Sequence, residues 1–202
     1  MQQHWDTEDD LLRSTVRVGL GKLKSFNEKS RYGLKYGGTI EPAEPFNEVE
    51  VRDYIKSVGA GEPKDHAELL STIETLLLKD YKEVDEFPKY RMCYFLRDTK
   101  DKRSKEILCK LLKAANRSVV SPLLRHELCF IMGQINEGDI CIQDILKEVS
   151  LDTTEHPVVR HEAILSFYGI TDDEEFISPF MNHENQLIRE SVEVAVKIGE
   201  EH

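Results

Sequence analysis

Two identical tripeptides stand 35 residues apart, Arg125-His126-Glu127 and Arg160-His161-Glu162, each after a proline-containing entry. Each sets an imidazole beside a carboxylate, two side-chain types that bind divalent metals and handle protons. A mixed histidine and carboxylate set suits non-haem iron better than structural zinc, which would recruit the four cysteines. A single His-Glu pair on a helix ordinarily serves a surface or capping role. Core packing would select Leu or Val at a repeated position, so the recurrence of the polar pair favours the metal reading. His126, Glu127, His161 and Glu162 are therefore the candidate metal ligands, with Glu127 and Glu162 as candidate catalytic groups. His4, His66, His156, His183 and His202 lie in polar settings and are expected to be solvated, His156 being the one to check near the pocket.

The elements that carry these residues read as helices. Leu69, Leu70, Ile73, Leu76 and Leu77 recur at helical spacing, as do Tyr90, Tyr94 and Phe95 after Pro88, and Ile107, Leu108, Leu111 and Leu112. No hairpin signal and no long alternating run predicts a strand. Residues 9–26 predict an amphipathic helix through Leu12, Val16, Leu20 and Leu23. From residue 27 to 64, repeated Gly and Pro predict a linker with a short helix near Val49 to Val58.

An internal repeat organises the remainder. Tyr90, His126 and His161 align with steps of 36 and 35 residues, and Cys93 aligns with Cys129. A last copy follows after a shorter step of 28, with Arg189 at the histidine position and Glu190 at the glutamate position. Units of this length with two helices each predict an all-α, HEAT-like α-solenoid of stacked helical hairpins. Stacking places equivalent positions side by side, so His126 should neighbour His161, and Glu127 should neighbour Glu162. Met92, Tyr94, Phe95, Phe130, Ile131 and Met132 are expected in the core. Gly133 and Gly169 are expected to permit close helix packing or to end a helix.

Composition bounds the partners. The chain has 202 residues and a formal charge of -11. That balance argues against non-specific nucleic-acid binding, which needs cations to displace counterions, and fits a basic protein or a polyamine-like cation. Residues 151–202 hold 12 acidic and 3 basic residues, so most of the charge lies in this stretch, around the candidate cation-binding groove. An excess of this kind is ordinarily a solvated face, and here it could also dock a basic partner. No apolar run is long enough to span a membrane, and the start has neither a basic nor an apolar signal region. The four cysteines form no CxxC and are expected to be reduced and mostly buried, which points to the cytoplasm.

The stretches LLRHELCFIMGQI (123–135) and HPVVRHEAILSFYGI (156–170) resemble the paired His-Glu motifs of the deoxyhypusine hydroxylases, also called deoxyhypusine monooxygenases, a family of HEAT-repeat di-iron enzymes. FPKYRMCYFLRD (87–98) and LIRESVEVAVKIGEEH (187–202) resemble the opening repeat and closing helix of that family's second half. Residues 1–26 would then be a stub resembling the end of a first half, 27–64 an interdomain linker and 65–202 the HEAT-repeat domain. The resemblance implies hydroxylation of deoxyhypusine on a eukaryotic translation factor, with O2 and two Fe(II) ions per complete site. It implies that His126 and His161 hold one iron and that Glu127 reaches across to the other. Glu162 would sit further out or hold the substrate amine. Family members carry four such motifs and this chain carries two. A homodimer or a separate chain with the first half would complete the site; the alternative is a catalytically inactive or truncated HEAT-repeat interaction module.

Overall fold

The computed structural model describes residues 42–81, 85–113, 119–135 and 138–200, together with Leu11, Thr15 and Val16. The helix expected over residues 9–26 lies outside the described residues apart from those three, where the Thr15 hydroxyl donates to Leu11 O at 2.9 Å. The described residues contain α-helices, one short 3-10 segment and no strand, so the all-α, HEAT-like expectation holds. They fall into two compact units, one running to residue 107 with 119–121 and the other comprising 108–113 and everything from 122 onward.

The first unit contains α1 (Glu48–Ser57), α2 (His66–Leu77), α3 (Phe87–Thr99) and the start of α4 (Lys102–Leu112). α1 falls inside the span expected to be linker, close to the expected short helix. Asn47 and Glu50 close it at its N-terminus with a reciprocal capping box. Val51 and Ile55 make α1 a packed element, both 0% exposed. Arg91 of α3 secures the segment before it: Nε donates to Glu44 O at 3.0 Å, Nη2 meets Glu50 Oε2 at 2.9 Å, and the guanidinium lies 3.9 Å over the Phe46 ring. The core residues expected in α2 and α3, including Leu69, Ile73, Tyr90 and Tyr94, are buried.

The second unit continues with α5 (Pro122–Gln134), α6 (Ile140–Leu151), α7 (Pro157–Thr171), α8 (Glu174–Ile177), a 3-10 turn at Ser178–Asn182 and α9 (Gln186–Glu200). Pro122 and Pro157 open α5 and α7, where the missing N–H costs no helical bond. α7 is the central element, packing against α5, α6 and α9. Leu124, Leu128 and Ile131 of α5 are buried, as are Ile142 and Leu146 of α6 and Val159, Ala163 and Ile164 of α7. Ile164 and Tyr168 continue into a cluster with Ile177, Phe180, Ile188, Val192 and Ala195 that seats α9. Phe130 is only half-buried, unlike the other residues expected with it in the core.

Two expectations are corrected. The cysteines are free, but only Cys93 and Cys129 are buried, while Cys109 is half-buried and Cys141 lies exposed at the start of α6. His156 is not solvated: it keeps 8% of its surface and caps α7, its Nδ1 accepting from Val158 N–H at 3.1 Å. Burial holds its pKa below the ordinary histidine value, with the nearby Glu155 opposing that effect. The unfolded chain therefore takes up the proton first, and protonation removes the acceptor that caps the helix. His156 stabilises the fold fully above about pH 6.5 and loses that contribution as the pH falls below it. Urea unfolding at pH 7.5 and 5.5 is expected to show a loss of about 1 kcal/mol attributable to this cap. His156→Asn, an acceptor that does not titrate, should shrink the difference; an unchanged difference would discount the cap.

Candidate metal centre

α5 and α7 run side by side, and each presents its tripeptide in its second turn. The rings of His126 and His161 are nearly parallel, 20° apart in plane with centroids 6.1 Å apart. Glu162 lies between the helices, with Oε2 3.4 Å from His126 Nε2. Donor atoms of His126, His161 and Glu162 all lie within 4.8 Å of one another. The expected pairing of the two histidines is therefore present. Glu127 lies just outside the trio, Oε2 3.9 Å from His126 Nδ1. Glu162, expected further out or beside a substrate amine, is the carboxylate that joins the two imidazoles.

The surroundings favour a cation. Glu127 and Glu162 keep only 8% and 9% of their surface. Burial raises the Glu162 pKa, as does the charge of Glu127, while His126 and a hydrogen bond from Ser166 pull it down. Burial and the neighbouring His126 both hold His161 below its ordinary value, which favours a neutral ring with a lone pair to give. His126 Nδ1 is buried without a hydrogen-bond partner among the described residues. Two imidazoles, one carboxylate and a buried imidazole nitrogen in want of a partner fit a divalent transition metal of the non-haem iron type.

Ser166 and Gly133 hold Glu162 in place. Ser166 Oγ donates to Glu162 Oε1 at 3.1 Å. The space a Cβ on Gly133 would fill is taken by Ser166, whose Oγ and Cβ lie 3.1 and 3.2 Å away. Gly133 thus permits the close α5–α7 approach expected of it, whereas Gly169 faces open space. Gly133→Ala is expected to displace Ser166, break its bond to Glu162 and weaken metal binding about tenfold, read by Fe(II) titration under nitrogen. Gly169→Ala should leave the affinity unchanged.

Sequence reading missed the arginine of each tripeptide. Arg125 Nη1 donates to Leu112 O at 2.8 Å, at the end of α4, and Arg160 Nε donates to Ser150 O at 3.0 Å, near the end of α6. Lys89 does the same one repeat earlier: Nζ donates to Leu77 O and Val119 O, each at 2.9 Å, and to Lys79 O. Burial lowers the Lys89 pKa to about 8. Each cation neutralises the carbonyl end of the preceding helix. The recurrence of Lys89, Arg125 and Arg160 at one aligned position was the available signal.

The same contacts correct the register of the last copy by one residue. Arg189 Nη1 donates to His183 O and Glu184 O at 2.6 and 2.8 Å, the behaviour of the repeat arginine and not of the histidine. Ser191 then stands where Glu127 and Glu162 stand. It meets His161 as Glu162 meets His126, with Oγ 2.7 Å from His161 Nδ1. Burial decides the register, and a short sequence match does not report burial.

No family model matches the chain. Individual relatives do. The deoxyhypusine hydroxylase of Phaeosphaeria nodorum is 31% identical over 202 residues, covering 96% of this chain and 56% of the relative. That of Aspergillus oryzae is 24% identical over 204 residues, covering 96% of this chain and 55% of its own length. The rice deoxyhypusine hydroxylase-B is 30% identical over 131 residues, 63% of this chain and 40% of the relative. Among solved structures, human deoxyhypusine hydroxylase in complex with glycerol superposes with a TM-score of 0.58 at 21% identity, over 86% of this chain and 52% of that one. The chain thus spans about half the length of the relatives it matches.

Proposed function

This chain is related to the deoxyhypusine hydroxylases, and from that relationship we propose that it carries part of a site for hydroxylating deoxyhypusine on a eukaryotic translation factor in the cytoplasm. The convergence of His126, His161 and Glu162 donor atoms within 4.8 Å is the observation that carries the reading. In this reading the two imidazoles and the Glu162 carboxylate hold Fe(II), which when bound supplies the activation of O2 that hydroxylating an unactivated C–H bond requires. Ser166 orients Glu162, and the α5–α7 contact limits water at the buried faces of Glu127 and Glu162. Those two carboxylates also suit the aminated substrate side chain, because each can accept a hydrogen bond from an ammonium. The acidic excess of residues 151–202 favours approach of a basic protein surface.

One trio carries few anionic donors, so the reading includes a second contributor: another copy of this chain, or a separate chain bearing the first half. The test is purification under nitrogen with Fe(II), followed by measurement of iron per chain and of mass in solution. About one iron per chain in a two-chain assembly supports the reading. A monomer that takes up no iron, alone or with a first-half chain, would sink it and leave an inactive interaction module.

A further inference from the structure

Ser191 is fully buried and its hydroxyl has two neighbours. Oγ lies 2.7 Å from Leu187 O and 2.7 Å from His161 Nδ1. A hydroxyl has one proton to give, and a carbonyl oxygen can only accept. If the proton points at Leu187 O, the Oγ lone pairs face His161 and the ring nitrogen must be the donor. The opposite assignment would press Oγ against Leu187 O at 2.7 Å with no proton between two acceptors. We infer that Ser191 is a positioning residue that fixes His161 as the Nδ1–H tautomer and leaves Nε2 as its electron-pair donor.

The partner histidine is met differently, by a carboxylate at its other nitrogen: His126 Nε2 lies 3.4 Å from Glu162 Oε2. His126 Nδ1 is buried with no hydrogen-bond partner among the described residues, and the nearest Glu127 oxygen, at 3.9 Å, is beyond hydrogen-bond reach. The two imidazoles of the trio are therefore not equivalent: His161 meets a neutral hydroxyl through Nδ1, whereas His126 faces a carboxylate through Nε2. This follows from the register of the last repeat, which puts a serine where the two preceding copies have glutamate. A carboxylate there would bind His161 as an ion pair; a back-bonded hydroxyl orients the neutral ring without adding charge. The consequence for iron rests on the function proposed above, whereas the tautomer does not.

The experiment uses the full metal-free chain with 15N-labelled imidazoles and long-range proton–nitrogen correlation. The His161 resonances are identified by their loss in His161→Gln. The Nδ1–H pattern is expected in the unaltered chain and in Ser191→Thr, with a switch toward Nε2–H in Ser191→Ala. An Nε2–H pattern in the unaltered chain, or the same pattern in all three, would overturn the inference. Circular dichroism confirms that the alanine variant keeps its helices. Anaerobic Fe(II) titration is then expected to show binding weakened about 10- to 100-fold by Ser191→Ala and restored by Ser191→Thr. Equal affinities in all three would also overturn the positioning role. A chain with the Nδ1–H pattern that takes no Fe(II) supports the tautomer assignment and rejects the iron reading.

Discussion

Arg125→Met is expected to lower the unfolding free energy of the second unit by about 3–5 kcal/mol. The guanidinium is almost fully enclosed, its side chain 6% exposed and that of Glu155 1% exposed. Nε meets Glu155 Oε2 at 3.0 Å, Nη2 meets the same oxygen, and Nη1 holds Leu112 O. Methionine keeps much of the stem and removes the charge, so the loss reports electrostatics and hydrogen bonding more than a cavity. The carboxylate of Glu155 would then stay buried without its guanidinium, which is the costly case for a buried ion pair. The end of α4 would lose its cationic partner as well. Urea denaturation followed by circular dichroism measures the change. Adding Glu155→Gln should restore part of the loss, because the buried charge that lost its guanidinium goes with it. A change under about 1 kcal/mol would mean that water reaches the pair and that its burial is not felt.

The second large effect concerns the metal centre. His161→Ala and His126→Ala are each expected to abolish Fe(II) binding, by at least about 100-fold, with little loss of helix. Each substitution removes one of three donors that converge within 4.8 Å and leaves one imidazole and one carboxylate, too few to hold the ion. Both rings are partly exposed, so truncating them opens little core. Glu162→Gln should weaken binding while retaining the Ser166 contact, since the amide oxygen can still accept that hydrogen bond. Anaerobic titration with circular dichroism of each variant separates ligand loss from unfolding. Iron retained equally in the histidine variants would reject these residues as ligands.

Much of this was legible because repetition turns one ambiguous signal into several. A lone His-Glu pair carries little information, but His126-Glu127 and His161-Glu162 at one repeat position predicted that the rings would be neighbours, and they lie 6.1 Å apart. The helices were legible for the same reason: Leu69, Ile73 and Leu77 can face one side only on a helix, and all three are 0% exposed. Capping was less legible. His156 reads as a loop residue before a proline, yet its Nδ1 serves a helix N-terminus, a role that depends on ring orientation. The buried cations were visible as letters but not as buried, since Lys89, Arg125 and Arg160 reside ordinarily at the surface.

The amino-acid sequence by itself determined the helical class, the repeat and the two imidazole–carboxylate pairs, because periodicity and residue type are local properties. Only the tertiary structure decided how they combine. Glu162 joins the two imidazoles because Gly133 lets α7 approach α5 closely enough for Ser166 to hold it. Ser191 reaches His161 because the last repeat starts one residue later than its letters suggest, a shift set by Arg189 on the carbonyls of His183 and Glu184. Donor sets and tautomers are fixed by distances of a few tenths of an ångström between helices, and those distances come from packing that no spacing along the chain encodes.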